Sequence, residues 1–191
     1  SPLGVLKALK SPSKSLRNFE EFNVTRPWDA ISSYEAPLEQ AETFEVYPNR
    51  DSLPFMRAYK FDPAWKVKDF VRGTLRLNGW SIAWKDIFKE IEGLTGEAGE
   101  TRLEKMSDQF WSENAYDTNE PDRVVLCVSL KATVKNSTKW HKTFVMDAWG
   151  DSEGSAMSRL VSQPVSLAVE AVLQGKLEAG VQAAPNDIKI V

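Results

Sequence analysis

The stretch VRGTLRLNGWSIAWKDIFKEIEG, residues 71–93, changes its hydrophobic period halfway along. Its first part, VRGTLRL, belongs to a predicted strand that ends at the turn-forming residues Asn78 and Gly79. Beyond Gly79 the apolar side chains recur at helical spacing and predict one helix closed by Gly93. These apolar positions are Trp80, Trp84, Ile87, Phe88 and Ile91. A strand therefore leads directly into an amphipathic helix.

Upstream of this stretch, the pattern predicts one more helix and one more strand. LGVLKAL, residues 3–9, has the leucine spacing of a short amphipathic helix. Residues 12–42 are polar and contain Pro27 and Pro37, and we expect this segment to be irregular. TFEVY, residues 43–47, alternates as a strand does.

Downstream, the pattern predicts a helix followed by a hairpin. A helix is expected over about residues 101–110, after a glycine-bearing link. DRVVLCVSLKATV (122–134) and KTFVMDAWG (142–150) are two β-rich runs separated by a segment with Asn136 and Ser137, which suit a hairpin turn. The two runs should pair antiparallel.

The last large element covers about residues 154–175 and contains Pro164. Proline removes a backbone donor, so either the helix kinks there or a second helix begins with Pro164 in its first turn. Helices and strands are mixed without a regular βαβ period. We therefore expect one α+β domain over residues 1–191, with a mixed, largely antiparallel sheet and helices packed against one face. GLTGEAG, residues 93–99, does not have the spacing of a dinucleotide-binding loop and reads as a connector, so a dinucleotide fold is absent.

Composition excludes several classes of partner. The formal net charge is −3, from 24 basic and 27 acidic residues, which disfavours binding to nucleic acid or to an anionic membrane surface. No apolar run approaches the length of about 18 residues that a transmembrane helix needs. The lone cysteine, Cys127, lies in an apolar run and is expected to be a small buried hydrophobe in a reducing compartment. We expect a cytoplasmic protein.

The sequence shows no catalytic residues of its own, and the catalytic group stays unknown. His141, the only histidine, is flanked by lysines and is expected to be a partly exposed strand residue. The sequence offers no Cys/His pair for a metal, and the carboxylates are scattered. We expect no metal.

Two arginines lie next to turn-forming residues, where binding sites are commonly built. Arg50 occurs in YPNRDSLPF, in which Asp51 and Ser52 could cap a following helix, and Arg76 lies near the end of the predicted strand. A guanidinium can bind a carboxylate through two parallel hydrogen bonds. The purely structural alternative is that Arg50 pairs with a nearby acid such as Asp51 or Asp62 and that Arg76 is an exposed strand residue.

Other polar and aromatic residues admit less specific roles. Trp80 is expected to pack in the core. Arg159 is either a third cation at a site or a helix-surface residue. Asp147 and Asp151 flank WG in DAWGD and are expected to cap or form turns.

Several blocks, in the same order, resemble one family. The blocks YPNRDSLPF, VRGTLRLNGW, PDRVVLCVSL and FVMDAWGDSEGSAMSRLVSQPVSLAVEAVLQGKLEAGV together resemble the second domain of the saccharopine dehydrogenase (saccharopine reductase) family. The opening SPLGVLKALKSPSKSL is similar to the start of that domain. The resemblance covers nearly the whole chain. It departs from the family pattern at Leu77, where the family has an aromatic residue, and at Ser162, where it has a glycine.

The resemblance implies a two-part enzyme with an upstream Rossmann domain that binds most of an NADP or NAD cofactor. The second domain would supply much of the substrate site and the surface for homodimer formation, and it would be inactive alone. The reaction is hydride transfer between a nicotinamide and the secondary amine of saccharopine, giving 2-aminoadipate semialdehyde and glutamate in lysine metabolism. By the family pattern, Arg50, Thr74, Leu75 and Arg76 contact saccharopine or a similar amino-acid substrate.

Two alternatives stay open at this stage. The parent could be a relative that acts on another amino acid or a polyamine, such as a carboxynorspermidine dehydrogenase or a lysine 6-dehydrogenase, because a single pocket residue can redirect specificity. The chain could also be a non-catalytic dimerisation module. The intact NRDS and GTLR motifs favour the substrate-binding role, since a dimerisation module does not need two carboxylate-binding arginines.

Overall fold

The computed structural model describes residues 1–117, 120–177 and 180. Their contacts divide into two compact units. The first unit comprises residues 1–36 and 42–115, and the second comprises residues 37–41 and the described part of 116–191. The single domain expected over the whole chain stays a prediction, and each unit is described by itself.

The first unit contains five α-helices, a short 3₁₀ turn and five strands. In chain order they are α1 (Pro2–Leu9), β1 (Ser13–Arg17), β2 (Glu20–Val24), the 3₁₀ turn (Pro27–Ala30), β3 (Ser32–Ala36), β4 (Glu42–Pro48), α2 (Pro54–Ala58), β5 (Gly73–Leu77), α3 (Trp80–Ala83), α4 (Lys85–Gly93) and α5 (Gly96–Glu113).

Most of the predicted elements of this unit are confirmed. The helix over residues 3–9 and the strand over 43–47 are α1 and β4. The helix over residues 80–93 divides at Trp84 into α3 and α4. The glycine cluster joins two helices as expected, but α5 already begins at Gly96 and extends beyond the predicted end.

The prediction that residues 12–42 are irregular was wrong, because three short strands lie there. In β1 the side chains that point inward are Ser13 and Ser15, which are almost fully buried. A strand that buries small hydroxyl side chains lacks the alternation of large apolar residues that identifies strands in a sequence. The same segment is therefore polar in composition and ordered in structure.

The strands of the first unit form antiparallel ladders. β1 pairs with β2, and β3, β4 and β5 form a three-stranded sheet in that order. On its other side, β1 is bonded to the segment around Asp51 and to Phe70 through isolated bridges. The α+β class and the antiparallel pairing are confirmed. The strands of this unit form two separate small sheets, one of two strands and one of three.

The core of the first unit lies among α1, α4 and α5, with Tyr47 contributed by β4. Its buried members are Leu6, Leu9, Tyr47, Phe88, Ile91, Leu103 and Met106. Aromatic rings continue the core towards α3, since Trp80 stacks on Tyr47 at 5.3 Å and meets Phe88 edge-on at 5.2 Å. The expected packing of Trp80 against the core is confirmed.

The second unit consists of a long hairpin and a helix among the residues described. β6 (Arg123–Val134) pairs antiparallel with β7 (Ser137–Trp149), which confirms the predicted hairpin. The turn is at Lys135 and Asn136, both with positive φ, and Ser137 already belongs to β7. The helix α6 (Ala156–Leu173) continues through Pro164 as one element. Part of the last family-like block, residues 178–179 and 181, lies outside the described residues.

One face of the hairpin carries most of its large apolar side chains, with Lys142 among them, and the other face mixes polar residues with Val145. Strand register places one set of large side chains on the same face, which we call the apolar hairpin face: Leu126, Val128, Leu130, Trp140, Phe144 and Met146. All but Met146 are exposed. On the other face, the Oγ of Ser129 lies 2.9 Å from the Nε2 of His141, which is an exposed strand residue. Cys127 is half-buried.

Two aspartates of the second unit have different roles. Asp147 lies within β7 and accepts two hydrogen bonds from Arg123, at 2.8 and 2.9 Å, and these bonds lower the pKa of Asp147. The expectation that Asp147 caps or forms a turn was wrong. Asp151 does hold a turn, since its side chain accepts from the backbone N–H of Glu153 at 2.8 Å.

Asp122 anchors the start of α6. Its two carboxylate oxygens accept from the backbone N–H groups of Ala156 at 2.7 Å and Met157 at 2.9 Å. The first N–H groups of a helix have no partner within the helix, so this carboxylate satisfies two of them. The hydrogen bond from Met157 is the largest cause that lowers the pKa of Asp122.

Among the described helices, none has the combination of length and hydropathy that crossing a bilayer requires.

Replacing Asp122 by alanine should lower the melting temperature at neutral pH by about 2–4 °C. The folded-state pKa of Asp122 lies below its unfolded value, so its stabilisation is present above about pH 4 and is lost as the pH falls through the folded pKa. Thermal unfolding of the wild type and Asp122→Ala at pH 7 and pH 2.5 measures this difference. Asp108→Ala, an exposed acid on α5, is the control. A difference that persists undiminished at pH 2.5 would contradict the role of the carboxylate.

Candidate functional site

Arg50 lies two residues beyond the end of β4 and has an unusual backbone conformation. Its φ is 52°, in the left-handed region that is costly for residues other than glycine. The backbone of β1 holds it there, because the N–H of Lys14 donates to the carbonyl of Arg50 at 2.9 Å and the N–H of Ser52 donates to the carbonyl of Lys14 at 2.8 Å. The Arg50 side chain is exposed. Two elements distant in sequence thus fix the loop that presents Arg50.

Alternate residues of β5 and the position before it share one face of the sheet. Thr74 and Arg76 lie opposite Tyr47 and Glu45 of β4. The N–H of Asn49 donates to the carbonyl of Arg72 at 2.8 Å and extends the same register by one pair. Because side chains alternate along a strand, one face carries the residues Arg72, Thr74 and Arg76 beside Asn49, Tyr47 and Glu45. We call this surface the arginine face.

Leu75 points to the opposite face, where it lies across from Val46. The hydrogen bond from Asn49 to Arg72 identifies these two residues as a hydrogen-bonded pair of the antiparallel ladder. Because hydrogen-bonded and non-hydrogen-bonded pairs alternate, Leu75 belongs to a non-hydrogen-bonded pair, and its N–H and C=O point away from β4. In the described part of the chain, no strand pairs with β5 on that side. Leu75 can therefore offer a ligand its backbone, whereas Thr74 and Arg76 offer side chains.

Gly73 allows the close approach of β5 to β4. A Cβ at this position would lie 2.6 Å from the Cγ2 of Val46, which real structures do not tolerate. Gly79, after the strand, has a φ of 89° and permits the sharp turn into α3. These two glycines bracket Thr74, Leu75 and Arg76 and fix the geometry of the strand that carries them.

The Arg76 guanidinium rests among aromatic rings. Its central carbon lies 5.5 Å from the ring centroid of Trp80 and 5.9 Å from that of Tyr47, and one of its terminal nitrogens donates to the Tyr47 hydroxyl at 3.3 Å. Its Nε is buried and has no hydrogen-bond partner among the residues described. Arg76 is therefore a half-buried cation with a fixed orientation, and not the exposed strand residue of the structural alternative.

Glu45 is the acid opposite Arg76, yet it is bonded elsewhere. Its carboxylate accepts from the N–H of Gly79 at 3.2 Å, from the N–H of Ser81 at 2.6 Å and from the Ser81 hydroxyl at 2.9 Å. These bonds tie β4 to the start of α3 and so hold Trp80 next to Arg76. Because Glu45 is engaged in this way, the Arg76 guanidinium keeps donors for another acceptor.

Arg50, in the loop beside the arginine face, has no acid partner among the described residues. Within the described ranges, no ion pair joins Arg50 to Asp51 or Asp62, so that structural alternative is wrong. Asp51 instead accepts from the N–H of Leu53 at 2.9 Å. The Oδ1 of Asn49 is also buried without a hydrogen-bond partner in the described part. Unsatisfied buried polar atoms of this kind mark places where a ligand or an ordered water completes the hydrogen bonds.

Other candidate cations are already neutralised. Arg159 pairs with Asp151 at 2.9 Å and donates to the carbonyl of Trp149 at 2.6 Å, so it belongs to the local structure of the second unit. A cleft of about 520 Å³ in the first unit is lined partly by Arg26. This arginine pairs with Asp29 at 2.7 Å and with Glu92 at 2.9 Å, so its charge is compensated within the cleft. Lys10, which also lines the cleft, donates to the backbone carbonyl of Leu94.

Among the described residues we find neither a metal-binding cluster nor a glycine loop that joins a strand to a helix as in dinucleotide-binding folds. No group of three or more histidine, cysteine, aspartate or glutamate side chains in the described ranges is arranged to hold a metal ion. The glycine cluster, residues 93–99, lies between α4 and α5 rather than between a strand and a helix. Its geometry does not fit the pyrophosphate of a dinucleotide, which is bound at a strand–turn–helix.

Comparison with known families agrees with these features. The profile of the Saccharopine dehydrogenase C-terminal domain matches residues 1–190. The chain belongs to the saccharopine dehydrogenase C-terminal domain family. The resemblance recognised in the sequence is thereby confirmed.

Relatives of the family domain are distant in sequence. Over 136 residues, the chain is 29% identical to mouse alpha-aminoadipic semialdehyde synthase, mitochondrial, and this match covers 70% of the chain and 14% of the relative. It is 24% identical to saccharopine dehydrogenase [NADP(+), L-glutamate-forming] of Pyricularia oryzae, covering 100% of the chain and 56% of the relative. The chain thus spans a seventh to about half of the length of these curated relatives.

A solved structure supports the fold. The apo histidine-tagged saccharopine dehydrogenase (L-Glu forming) from Saccharomyces cerevisiae matches with a TM-score of 0.74 at 21% identity. The match covers 100% of the chain and 56% of the yeast protein. The chain therefore shares its α+β architecture with a part of that protein.

Sequence reasoning missed the aromatic support of the site. Tyr47 was read only as the end of a strand, and Trp80 only as a core residue, yet both rings contact Arg76. Arg72 was also passed over. The alternation of Arg72, Thr74 and Arg76 with a period of two is the signal that could have identified it, since alternate strand residues share a face.

Removing the Glu45 carboxylate should loosen the start of α3. We expect Glu45→Ala to lower the free energy of unfolding by about 1–3 kcal/mol, because the half-buried N–H groups of Gly79 and Ser81 lose their acceptor. Chemical denaturation measures the loss, and hydrogen exchange should show faster exchange at these two amides.

The matched control for this variant is Glu35→Ala, an exposed glutamate on the neighbouring strand β3. It should change stability by less than about 0.5 kcal/mol. Equal losses in the two variants would show that Glu45 contributes no specific link between β4 and α3.

Proposed function

We propose that this chain is the substrate-binding and dimerisation part of an NAD(P)-dependent saccharopine dehydrogenase. The observation that carries the proposal is the arginine face, where Arg76 is oriented by aromatic rings and has no acid partner among the described residues. Family membership and the names of the relatives support the reaction class, which is hydride transfer at the secondary amine of saccharopine. The contribution of this chain is to bind and orient the substrate.

The chemistry of saccharopine suits this surface. The molecule has three carboxylates, so a site that fixes it needs several positioned cations. In our proposal Arg50 and Arg76 each bind a substrate carboxylate, Thr74 adds its hydroxyl, and Leu75 adds its outward-facing backbone groups. Each charge-assisted hydrogen bond contributes about 1.5–3 kcal/mol. Binding geometry, rather than proton transfer by this chain, would then account for its part in the reaction.

The nicotinamide would be bound elsewhere in the parent protein. Because the glycine cluster does not fit a dinucleotide, we propose that an upstream Rossmann domain binds most of the NADP or NAD and that this chain alone is inactive. The NADP(+) in the name of the Pyricularia relative supports a nicotinamide cofactor for the parent. A cytoplasmic location remains part of the proposal and is supported by the single cysteine.

A second copy of the chain is the proposed partner of the apolar hairpin face. Leu126, Val128, Leu130 and Phe144 are exposed on one side of a hairpin of only two strands, and such a hairpin is marginally stable without a covering partner. A patch of this kind marks an interaction surface. Two copies that meet through this same patch would form a self-complementary dimer interface.

The Arg76→Ala variant tests substrate binding. In the complete parent enzyme we expect kcat/KM for saccharopine to fall about 10- to 150-fold, because one charge-assisted contact to a carboxylate is lost. The KM for the nicotinamide should stay unchanged. Steady-state kinetics with NADP and with NAD measure both values.

The control is Arg102→Ala, which removes an arginine that pairs with Glu90 on the helical side of the same unit. It should leave saccharopine kinetics unchanged. Unchanged kinetics in Arg76→Ala would rule out the proposed contact. If the well-folded wild-type parent does not turn over saccharopine at all, the substrate is another amino acid or a polyamine.

The Phe144→Lys variant tests the dimer. Placing a charge in the apolar hairpin face should convert the parent from dimer to monomer, as measured by size-exclusion chromatography with light scattering. Thr143→Lys is the matched control, because Thr143 is also exposed but points to the opposite face of the hairpin. A dimer that survives Phe144→Lys, or a monomeric wild type, would contradict the proposed interface.

A further inference from the structure

We propose that Arg72 is a third carboxylate-binding cation of the substrate site, acting together with Arg50 and Arg76. This inference rests on the proposed function and adds a residue to it. The family motifs assign contacts to Arg50, Thr74, Leu75 and Arg76, and Arg72 comes from the structure alone. Three carboxylates on the substrate would then meet three guanidinium groups on the protein.

The backbone of Arg72 is fastened to the loop that presents Arg50. Its carbonyl accepts from the N–H of Asn49 at 2.8 Å, and its N–H donates to the hydroxyl of Ser52 at 3.0 Å. Ser52 is fully buried. Arg50 lies between these two contacts in the chain, so Arg50 and Arg72 are held at the same end of the β4–β5 ladder.

The Arg72 guanidinium is stacked rather than paired. Its central carbon lies 3.6 Å from the centroid of the Phe55 ring at the start of α2. Stacking on a ring uses the face of the guanidinium and leaves the N–H donors at its edge for an acceptor in the same plane. Across the described ranges, no carboxylate forms an ion pair with Arg72. Its charge and its donors are therefore positioned for a ligand.

The spacing along the arginine face matches the shape of saccharopine. Four residues of extended strand separate the Cα atoms of Arg72 and Arg76 by roughly 13 Å. Saccharopine has two carboxylates on its glutamate half and one at the far end of its lysine half. Arg72 at one end of the face, together with Arg50 in the adjacent loop, would bind the dicarboxylate half, and Arg76 at the other end would bind the single carboxylate.

Like charges on one short ladder oppose folding through repulsion, and a bound polyanion removes that repulsion. Arg159, the third cation considered from the sequence, does not fulfil this role because it is paired with Asp151. Arg72 supplies the third positive charge within the same ladder as Arg76, where the register brings the two onto one face.

The test uses the complete parent enzyme with Arg72→Gln, which removes the charge and keeps the backbone bonds. We expect the KM for saccharopine to rise about 10- to 150-fold while the KM for the nicotinamide is unchanged. Arg72→Lys, which keeps the charge without the planar fork, should give a smaller rise. Circular dichroism confirms folding, and if Arg72→Gln fails to fold, Arg72→Lys carries the test.

The matched control is Arg17→Gln. Arg17 also stacks on a phenylalanine, Phe22, at 4.2 Å, but it belongs to the β1–β2 hairpin and is not part of the arginine face. It should leave both KM values unchanged. A rise in Arg17→Gln equal to that in Arg72→Gln would reduce the effect to a loss of stacking and overturn the inference.

Substrate analogues identify the contact. Two saccharopine analogues, each with one carboxylate of the glutamate half converted to a carboxamide, should be poorer substrates for the wild type. In Arg72→Gln the preference for saccharopine over one of these amides should disappear, because the cation that reads that carboxylate is gone. A merely structural role for Arg72 would leave both preferences intact and would overturn the inference.

The outcomes also separate this inference from the proposed function. If saccharopine turnover falls in Arg76→Ala but not in Arg72→Gln, the role proposed for Arg72 is wrong and the proposed function still stands. Absence of saccharopine turnover by the wild-type parent overturns both.

Discussion

The antiparallel pairing of β4 with β5 is the constraint on which the candidate site depends. Its register, with Tyr47 opposite Thr74 and Glu45 opposite Arg76, decides which side chains share a face. A slip of one residue would turn Thr74 and Arg76 to the other side of the sheet and expose Leu75 in their place. Close packing of Gly73 against Val46 makes such a slip costly. The same pairing turns the backbone of Leu75 towards the open side of β5.

Some arginines of the chain are paired with acids and others are not, and this difference gives the arginine face its chemical character. Arg26, Arg102 and Arg123 are bonded to carboxylates, so their charges are compensated locally. On the arginine face, the acid nearest in register, Glu45, is bonded to the start of α3. Aromatic rings take the place of acids as the support of the guanidinium groups. An arginine held in this way is oriented without being neutralised, which suits it to bind an anionic ligand.

The sequence predicted the elements whose hydrophobic pattern is strong. The helical spacing after Gly79, the alternation in β4 and the long hairpin all reappear in the structure. The sequence analysis missed the strands between residues 12 and 42. In β1 the buried side chains are serines, and a search for alternating hydrophobic residues cannot detect a strand that buries hydroxyl groups. Asp147 was assigned to a turn because it adjoins a glycine-bearing segment, whereas its pairing with Arg123 across the hairpin could only be seen in the strand register.

The sequence by itself determined the α+β class, the family and the two motifs that contain Arg50 and Arg76, because these depend on local period and on residue identity. Only the tertiary structure decided which cations stay without an acid partner, that Tyr47 and Trp80 support Arg76, and that Arg72 lies beside the Arg50 loop. The physical reason is that such relations join residues far apart in the chain through the register of β4 with β5 and the hydrogen bonds of β1, and no local pattern of residues encodes them.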